Sequence, residues 1–347
     1  MTAFREPRSA APALPQERGE VSSAVIASLR GHRRALPRRE RIASGEPYGD
    51  DLQLALYVLY ELHYQGFDGV AEDREWDPAL LDVRRGLEER FLSELRAHVP
   101  GAGDADDALA DILVEPAECD GGNSVSHYLR DHGSLTHLRE YAALRSLYHL
   151  KEADPHAWLI PRLHGRAKAA MVAVEFDEFG AGHAEDIHAR LFADLMADLH
   201  LDTAYGRYVD AAPCEALATV NLMSLFGLHR ALRGAAVGHF ATLEVTSSPG
   251  SRRIAQAMRR LGAGPAAERF YDEHVEADAV HEQVVRHEVI APLLAAEPQL
   301  TADVAFGIEA TGLLEDRLGD LILRAWRGGR TALRTALPEP VGAVIRP

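Results

Sequence analysis

The sequence predicts an all-α protein, and three observations support that prediction. Apolar residues recur at helical spacing from residue 50 onward, alternating strand patterns bounded by hairpin turns are absent, and no internal repeat is present. The chain has 347 residues, of which 47% are hydrophobic and 26% are charged. These proportions are typical of a globular protein and exclude disorder of the whole chain.

The first third of the chain predicts an arm followed by a helical lead-in. Residues 1–45 are rich in Pro, Ser, Ala and Arg and poor in apolar side chains, so we expect a disordered arm. Two helices are predicted between residues 50 and 99, and the second is capped by Asp77, with Pro78 in its first turn. Long apolar helix faces in this lead-in, residues 46–125, suggest a homodimer.

The remainder predicts a helical domain over residues 126–330 and a tail over residues 331–347. Loops are predicted where GAGDADD begins at residue 101 and CDGGNS at residue 119, and a helix over SLTHLREYAALRSLYHLKE stops at Pro155. Further helices are predicted at residues 161–179, 184–199, 214–232, 234–247, 251–261, 265–293 and 301–327.

Charge and cysteine content exclude several functional classes. The chain carries 53 acidic and 37 basic residues, a formal charge of −16, whereas binding to phosphate backbones depends on clustered cations. Nucleic acid is therefore not an expected partner.

The N-terminal residues lack the apolar core of a signal peptide, and no apolar run is long enough to span a membrane. Cys119 and Cys214 cannot form a disulfide framework, which favours a reducing cytoplasm.

The segment ERFYDEHVEADAVHEQVVRHE places ionisable groups on an apolar helix face. His274, Asp278 and His281 stand at positions i, i+4 and i+7, so they point within about 60° of one another. The same arc carries apolar residues, while most other acids of the helix point elsewhere. Because an uncompensated buried charge costs several kcal/mol, these groups must be paired with each other or with a metal ion.

A second segment, AEDIHARLFADLMADLH, also places ionisable groups on an apolar helix face. Glu185 and His188 share a predicted helical face with apolar residues, one turn apart, so both can bind one ion from the same direction. A lone buried histidine is more often a hydrogen-bonded core residue than a ligand, and the spacing Glu-x-x-His often occurs by chance in proteins without a metal site. Two such groups on core faces are harder to explain by chance.

Two upstream carboxylates are additional candidates. Glu152 lies near the end of a predicted helix, and Glu178 precedes Glu185 by seven residues. An unbroken helix would place Glu178 and Glu185 on one face, although Gly180 and Gly182 interrupt the pattern. Spacing alone leaves open whether these carboxylates are ligands or solvated acids.

Other polar residues are not assigned to the site. His239 and Glu244 either line a substrate pocket or orient a ligand histidine. Solvated positions are expected for Glu175, Asp177 and His183.

The composition of the candidate ligands indicates the type of metal. Three imidazoles, three or four carboxylates and no thiolate argue against structural zinc, and the imidazoles argue against calcium or magnesium. Six or seven ligands are too many for one catalytic zinc ion and suit a pair of iron or manganese ions. A dinuclear non-heme iron site is the best chemical fit, since bridging carboxylates neutralise two cations and leave positions open for dioxygen.

This ligand pattern resembles the heme-oxygenase-like di-iron oxidases, a family of iron-containing redox enzymes. The resemblance extends over roughly residues 50–330 and includes SLYHLKEADPHAWLIPRLHG and FYDEHVEADAVHE. It implies a heme-oxygenase-like bundle with an N-terminal helical extension, two Fe(II) ions per chain and no heme. The family's motifs are a Glu, a Glu-x-x-His and a His-x3-Asp-x2-His, which correspond here to Glu152, Glu185 with His188, and His274 with Asp278 and His281.

Within that family, the sequence is most similar to the N-oxygenating members. These carry an additional carboxylate seven residues before Glu-x-x-His, the position of Glu178 here. The resemblance implies an oxygenase of specialised metabolism that acts on an amino acid or amine, with dioxygen as co-substrate and a peroxo-di-ferric intermediate. No acid, base or nucleophile besides the metal ligands is implied.

Two alternative functions remain open at the level of sequence. The first keeps the two irons but assigns oxidative carbon-carbon fragmentation or desaturation of an amino or fatty acid, with Glu178 solvated. The second is a non-catalytic helical protein that stores or senses iron.

Overall fold

The computed structural model describes residues 11–32, 34–99 and 124–338, together with residues 101, 105, 107 and 108. Every regular element in these residues is helical, which confirms the all-α prediction. Most of the predicted loops GAGDADD and CDGGNS, with Cys119, lie outside the described residues. The α-helices of the described part are α1 Glu20–Leu29, α2 Arg39–Ala43, α3 Asp50–Glu61, α4 Pro78–His98, α5 Val125–His132, α6 Leu135–His149, α7 Asp154–Ala157, α8 Gly165–Glu178, α9 His188–Asp198, α10 Cys214–Leu228, α11 Arg233–Leu261, α12 Pro265–Val284, α13 Ala291–Ala296 and α14 Thr301–Arg327.

The predicted disordered arm is wrong for the parts of it that form α1 and α2. Helix α1 buries Val25 and Ile26 in the core and packs against α3. The carboxylate of Asp51 in α3 accepts hydrogen bonds from the backbone N–H groups of Val21 at 3.0 Å and Ser22 at 2.7 Å, so it caps the first turn of α1. The short apolar run of α1 stands among Arg- and Pro-rich segments, and its cap lies some thirty residues away, beyond the reach of local sequence patterns.

Helix α3 is buried within the chain. Leu54, Leu56 and Val58 have no exposed surface, and α3 contacts α1, α4 and α10. The apolar residues of this helix therefore contribute to the core of one subunit. The homodimer stays a prediction that this burial does not support.

Several predicted helix boundaries differ from the structure. Residues 234–247 and 251–261 belong to one helix, α11, which continues through Pro249 because residues on both sides of the proline, including Val245 and Ile254, pack in the core. The predicted helix 265–293 contains a π-helical turn, Val285–Ile290, between α12 and α13. The helix predicted to begin at residue 184 begins instead at His188.

Helix α11 is the central element of the bundle and packs against α12, α14, α5 and α10. Its crossing with α14 is very close, because Gly238 and Gly307 face the opposing backbone. A Cβ atom on Gly238 would overlap the carbonyl oxygen of Val304, and one on Gly307 would overlap that of Ala235. The absence of side chains at these two positions thus sets the distance between the two helices.

No single helix among the described residues is long and apolar enough to cross a membrane. One bent pair, Pro265–Ala296 with Pro298–Arg327, reaches the required length and composition only when its two parts are taken together.

We expect Gly238→Ala to lower the free energy of unfolding by about 1–3 kcal/mol, since the added methyl group forces α11 and α14 apart. Gly250→Ala is the matched control in the same helix, because a Cβ atom there meets no other atom within 4 Å. This control should be neutral or stabilising by up to about 1 kcal/mol. Urea denaturation of both variants measures the difference, and equal stabilities would contradict the role of the close crossing.

Candidate metal centre

Four helices and one turn bring carboxylates and imidazoles together inside the bundle. The turn after α6 carries Glu152, α8 ends at Glu178, α9 begins at His188, and α12 carries His274, Asp278 and His281, while α11 adds Glu244. All of these side chains are buried, each with at most 8% of its surface exposed. They form two groups, and within each group one ligand atom from every residue lies within 4.8 Å of the others.

The first group consists of Glu152, Glu178, His188 and His274. Nδ1 of His188 lies 2.7 Å from Oε2 of Glu178, and Nε2 of His274 lies 3.6 Å from Oε1 of Glu152. The rings of His188 and His274 are 4.6 Å apart between centroids. Two carboxylates and two imidazoles thus face a common point.

The second group consists of Glu178, Glu244, Asp278 and His281. Nδ1 of His281 lies 3.1 Å from Oε2 of Glu244, 3.5 Å from Oε1 of Glu178 and 3.9 Å from Oδ1 of Asp278. Three carboxylates therefore surround one imidazole nitrogen.

Glu178 belongs to both groups. Its Oε2 atom faces His188 in the first group, and its Oε1 atom faces His281 in the second. A carboxylate with one oxygen in each group has the geometry needed to bridge two metal ions.

Hydrogen bonds orient the two histidines of α12. Nδ1 of His274 donates to the carbonyl oxygen of Phe270 at 2.7 Å, which leaves Nε2 directed at the first group. Nε2 of His281 lies 3.3 Å from Oδ2 of Asp177, so its Nδ1 is the atom that faces the second group. Histidines that bind metals characteristically donate their other ring N–H to a carbonyl or carboxylate in this way.

The turn that carries Glu152 is fixed by a buried ion pair. Nζ of Lys151 lies 2.9 Å from Oε2 of Glu61 in α3, and both side chains have at most 1% of their surface exposed. The hydroxyl of Tyr205 donates to Oε1 of the same carboxylate at 2.6 Å. On its other side, Oε1 of Glu152 contacts Nδ1 of His149 at 2.9 Å. The backbone of the turn is thus anchored through Lys151, and the carboxylate of Glu152 is held by His149.

Several buried atoms of the two groups have no hydrogen-bond partner among the described residues. They include Oε2 of Glu152, Nε2 of His274 and Oδ2 of Asp278. Buried polar atoms without partners are rare in folded proteins, and a metal ion would satisfy them. The donors are oxygen and imidazole nitrogen only, a set that suits a pair of iron or manganese ions.

The electrostatics of the groups agree with this geometry. Burial raises the pKa of Glu152, but the neighbouring imidazoles of His149 and His274 outweigh burial and hold that pKa well below its usual value. Burial lowers the pKa of His274, yet the carboxylate of Glu152 close to its Nε2 atom raises it to about 10. For His281, Glu244 likewise outweighs burial and raises the pKa to about 9. Glu152 and Glu244 therefore stabilise positive charge on the neighbouring imidazoles.

The structure does not bring Glu185 to either group. The side chain is exposed and lies in the short 3-10 turn Ala184–Asp186, and Ile187 separates this turn from α9. The predicted helix over residues 184–199 is wrong at its start, because Ile187 has a non-helical ψ angle of 126° between this turn and α9. Gly180 and Gly182, which have positive φ angles of 77° and 91°, lie between the end of α8 and the turn. Glu185 and His188 consequently do not share one helical face.

Sequence reasoning also missed parts of the site. The sequence does not assign Glu244 to the site, because it lies 37 residues from its contact His281 and no local pattern pairs the two. The expectation that Glu175 is solvated is wrong, since only 2% of it is exposed. Burial first, and then the charges of Glu178 and Glu244, raise the pKa of Glu175 to about 9. Asp177, by contrast, has 55% of its side chain exposed.

Comparison with known proteins identifies the family. A family model described as iron-containing redox enzyme, of the heme-oxygenase-like group, matches residues 139–316, about half of the chain. The chain belongs to this family of iron-containing redox enzymes. The match is shorter than the 50–330 segment over which the sequence resemblance was expected, and it contains every residue of the two groups. A search of curated proteins found no match.

We expect the chain stripped of metal by a chelator to lose stability as pH rises from about 7 to about 10. The pKa values of His274, about 10, and His281, about 9, exceed the value of about 6.5 expected in the unfolded chain. A raised pKa contributes stability that is complete below the unfolded pKa and is lost as pH rises through the folded pKa. Urea denaturation at several pH values measures the trend.

The His274→Gln variant is the control for this measurement, since it removes one titrating imidazole and should show a smaller decline. A free energy of unfolding that stays constant or rises over the same range would contradict the assignment.

Proposed function

We propose that this iron-containing redox enzyme binds two Fe(II) ions and uses dioxygen to oxygenate a nitrogen of an amine or amino acid. The first group of four residues would hold one ion, and the second group would hold the other. The cytoplasmic location and the homodimer stay predictions from the sequence.

The observation that carries the proposal is the position of Glu178. It is buried and directs one carboxylate oxygen into each group. The alternative of fragmentation or desaturation requires Glu178 to be a solvated acid. Only 6% of the surface of Glu178 is exposed, which favours the N-oxygenating arrangement.

The protein's own residues have distinct parts in this chemistry. Two bound ferrous ions would supply electrons and open coordination positions for dioxygen. Asp177 and the carbonyl group of Phe270 orient the ligand nitrogens of His281 and His274. His149 holds Glu152 in place, and the surrounding apolar rings of Phe192 and Phe270 exclude water from that side. Glu178 would neutralise part of the charge of both ions.

We expect the purified chain to bind two Fe(II) ions, and His274→Ala to bind about one fewer, because it removes an imidazole directed at the first group. Anaerobic iron titration followed by colorimetric iron determination measures the stoichiometry. Oxygen consumption by the loaded protein should fall in parallel with iron content.

His183→Ala provides the matched control, since this histidine is exposed between α8 and α9 and belongs to neither group. Saturation of the unaltered chain well below two irons would contradict a di-iron site. Two irons without any oxygen consumption would favour the non-catalytic alternative.

The two carboxylates seven residues apart can be compared directly. Glu178→Gln should reduce iron binding more than Glu185→Gln, because Glu178 faces both groups, whereas Glu185 becomes a ligand only if residues 184–187 refold. Arg269 donates a hydrogen bond to Asp186 at 2.6 Å, a contact that such refolding would have to break or move. Iron content of the two variants, prepared in parallel, measures the difference.

An equal or larger loss in Glu185→Gln would contradict this order. Such a result would indicate that the turn before α9 becomes helical when iron binds and that Glu185 then enters the site. Glu185 would in that case be a metal ligand together with His188, as the sequence predicts.

A further inference from the structure

Four large apolar side chains are exposed to solvent on the outer side of the metal centre. Only two other large apolar side chains of the described residues, Trp76 and Leu135, are exposed to a similar degree. A surface that groups such side chains typically binds a partner. The four residues, which we call the α8–α12 patch, are Val172, Phe176, Phe179 and Val280.

The helical period of α8 aligns three members of the patch. Val172, Phe176 and Phe179 stand at positions i, i+4 and i+7, and Phe179 is the residue that ends the helix. The buried face of α8 points elsewhere and carries Val174 and Glu178. Helix α8 is thus amphipathic in an unusual sense, since its outward face is also apolar.

Asp177 connects the α8–α12 patch to the second metal group. It follows Phe176, has 55% of its side chain exposed, and places Oδ2 at 3.3 Å from Nε2 of His281. Val280 directly precedes His281 on α12. A molecule bound to the patch would therefore contact the outer side of Asp177, which itself contacts a residue of the second group.

Unpaired acids lie next to the patch. Glu273, Glu276 and Val280 stand at i, i+3 and i+7 on α12, and all three side chains are exposed. Glu185 is exposed in the turn that follows the other end of the patch. Among the described residues, these three glutamates have no ion-pair partner.

The basic side chains nearby do not offset these acids. Three arginines are paired with other carboxylates of the same region, and one lysine, Lys168 of α8, has no ion-pair partner among the described residues. The surroundings of the patch therefore carry excess negative charge. The ion pairs are Arg166 with Glu288, Arg269 with Asp186, and Arg286 with Glu282.

This charge distinguishes between possible occupants of the patch. A second copy of the chain, whose formal charge is also −16, would bring two sets of unpaired acids to one interface, and like charges there cost affinity. An anionic membrane surface is repelled for the same reason. A protein with an apolar centre and basic residues around it complements both the apolar side chains and the acids.

The position of the patch indicates what such a basic protein would do. The chain belongs to a family of iron-containing redox enzymes, so electrons must pass between the iron and another molecule. A partner on the patch lies next to Asp177 and thereby next to His281 of the second group. Interfaces of electron carriers are typically small and transient, which suits a patch of four apolar side chains.

We propose that the α8–α12 patch is the docking site of a small basic protein that carries one electron. Each docking event oxidises the carrier by one electron and reduces one Fe(III) to Fe(II), so two events return both ions to the ferrous state. This inference rests on the proposed function, since it requires iron in the second group.

Isothermal titration calorimetry at low ionic strength tests the docking site on the iron-loaded chain without oxygen. The probes are reduced cytochrome c, which is basic, and a reduced ferredoxin of similar size, which is acidic. We expect the cytochrome to bind at least about tenfold more tightly than the ferredoxin, and added salt to weaken its binding. Phe176→Asn and Glu276→Lys should each weaken cytochrome binding at least about fivefold.

Matched controls lie outside the patch. Leu135→Asn replaces another exposed apolar side chain and should leave cytochrome binding unchanged. Glu72→Lys changes the net charge as Glu276→Lys does, at an exposed acid of the 3-10 turn Glu72–Trp76, and should weaken binding less than about twofold. Equal effects of the patch variants and their controls would show that the cytochrome responds to net charge alone and would overturn the docking site.

Electron transfer supplies a second readout. Oxidised cytochrome c mixed with the ferrous chain should accept one electron for each Fe(II) oxidised, which is the reverse of the proposed step and passes through the same complex. Phe176→Asn and Glu276→Lys should slow the absorbance change of the cytochrome at low protein concentration. A rate that is unaltered in both variants would contradict docking at the patch.

Other occupants give different results. Sedimentation equilibrium that finds a dimer of the unaltered chain, and monomers of Phe176→Asn, would assign the patch to a second copy and overturn the proposal. Binding to phosphatidylcholine vesicles that is lost in Phe176→Asn would assign it to a lipid surface, with the same consequence.

Iron content of every sample separates this inference from the proposed function. A chain with fewer than two irons that still binds the cytochrome through the patch counts against the di-iron function alone. A chain with two irons whose cytochrome binding ignores the patch variants counts against the docking site alone.

Discussion

A helical bundle is stabilised by burying apolar side chains, but the interior of this one encloses carboxylates and imidazoles from five elements. Removing such groups from water is costly unless each is paired or bound to a cation. Part of this cost is offset by contacts within the protein. Glu152 contacts His149, His281 contacts Glu244 and Asp177, and His274 donates to a backbone carbonyl. The atoms that remain without partners in the described residues define where the bundle can accept cations.

The lead-in contributes to this arrangement, although the family match begins only at residue 139. Glu61 in α3 pairs with Lys151, which immediately precedes Glu152, and Tyr205 completes the pairing of the same carboxylate. A buried ion pair that loses one partner leaves an uncompensated charge and is strongly destabilising. The position of a proposed iron ligand therefore depends on a helix outside the matched segment.

The sequence was informative where a helix is regular. His274, Asp278 and His281 could be placed on one face because α12 is an uninterrupted helix over all three, and the period of 3.6 residues then determines their directions. The same rule failed for Glu185 and His188, since it assumes one regular helix over both, whereas the ψ angle of 126° at Ile187 separates a 3-10 turn from α9. Glu244 could not be paired with His281 from sequence, because their contact depends on how α11 and α12 pack. The close crossing at Gly238 and Gly307 is likewise a property of two helices together.

Glu175 and Glu178 show that burial alone does not make a carboxylate a candidate metal ligand. They stand one turn apart on α8 and both are buried, yet only Glu178 has ligand atoms of several other residues within 4.8 Å. A metal ion satisfies acceptors that converge on one point, so it can bind Glu178 and its neighbours. The carboxyl oxygens of Glu175 and Nε2 of His239, which have no partner in the described residues, belong to neither group, and an ion in either group leaves them unpartnered. Convergence of ligand atoms from several helices, and not burial, therefore distinguishes the candidate metal ligands of this bundle.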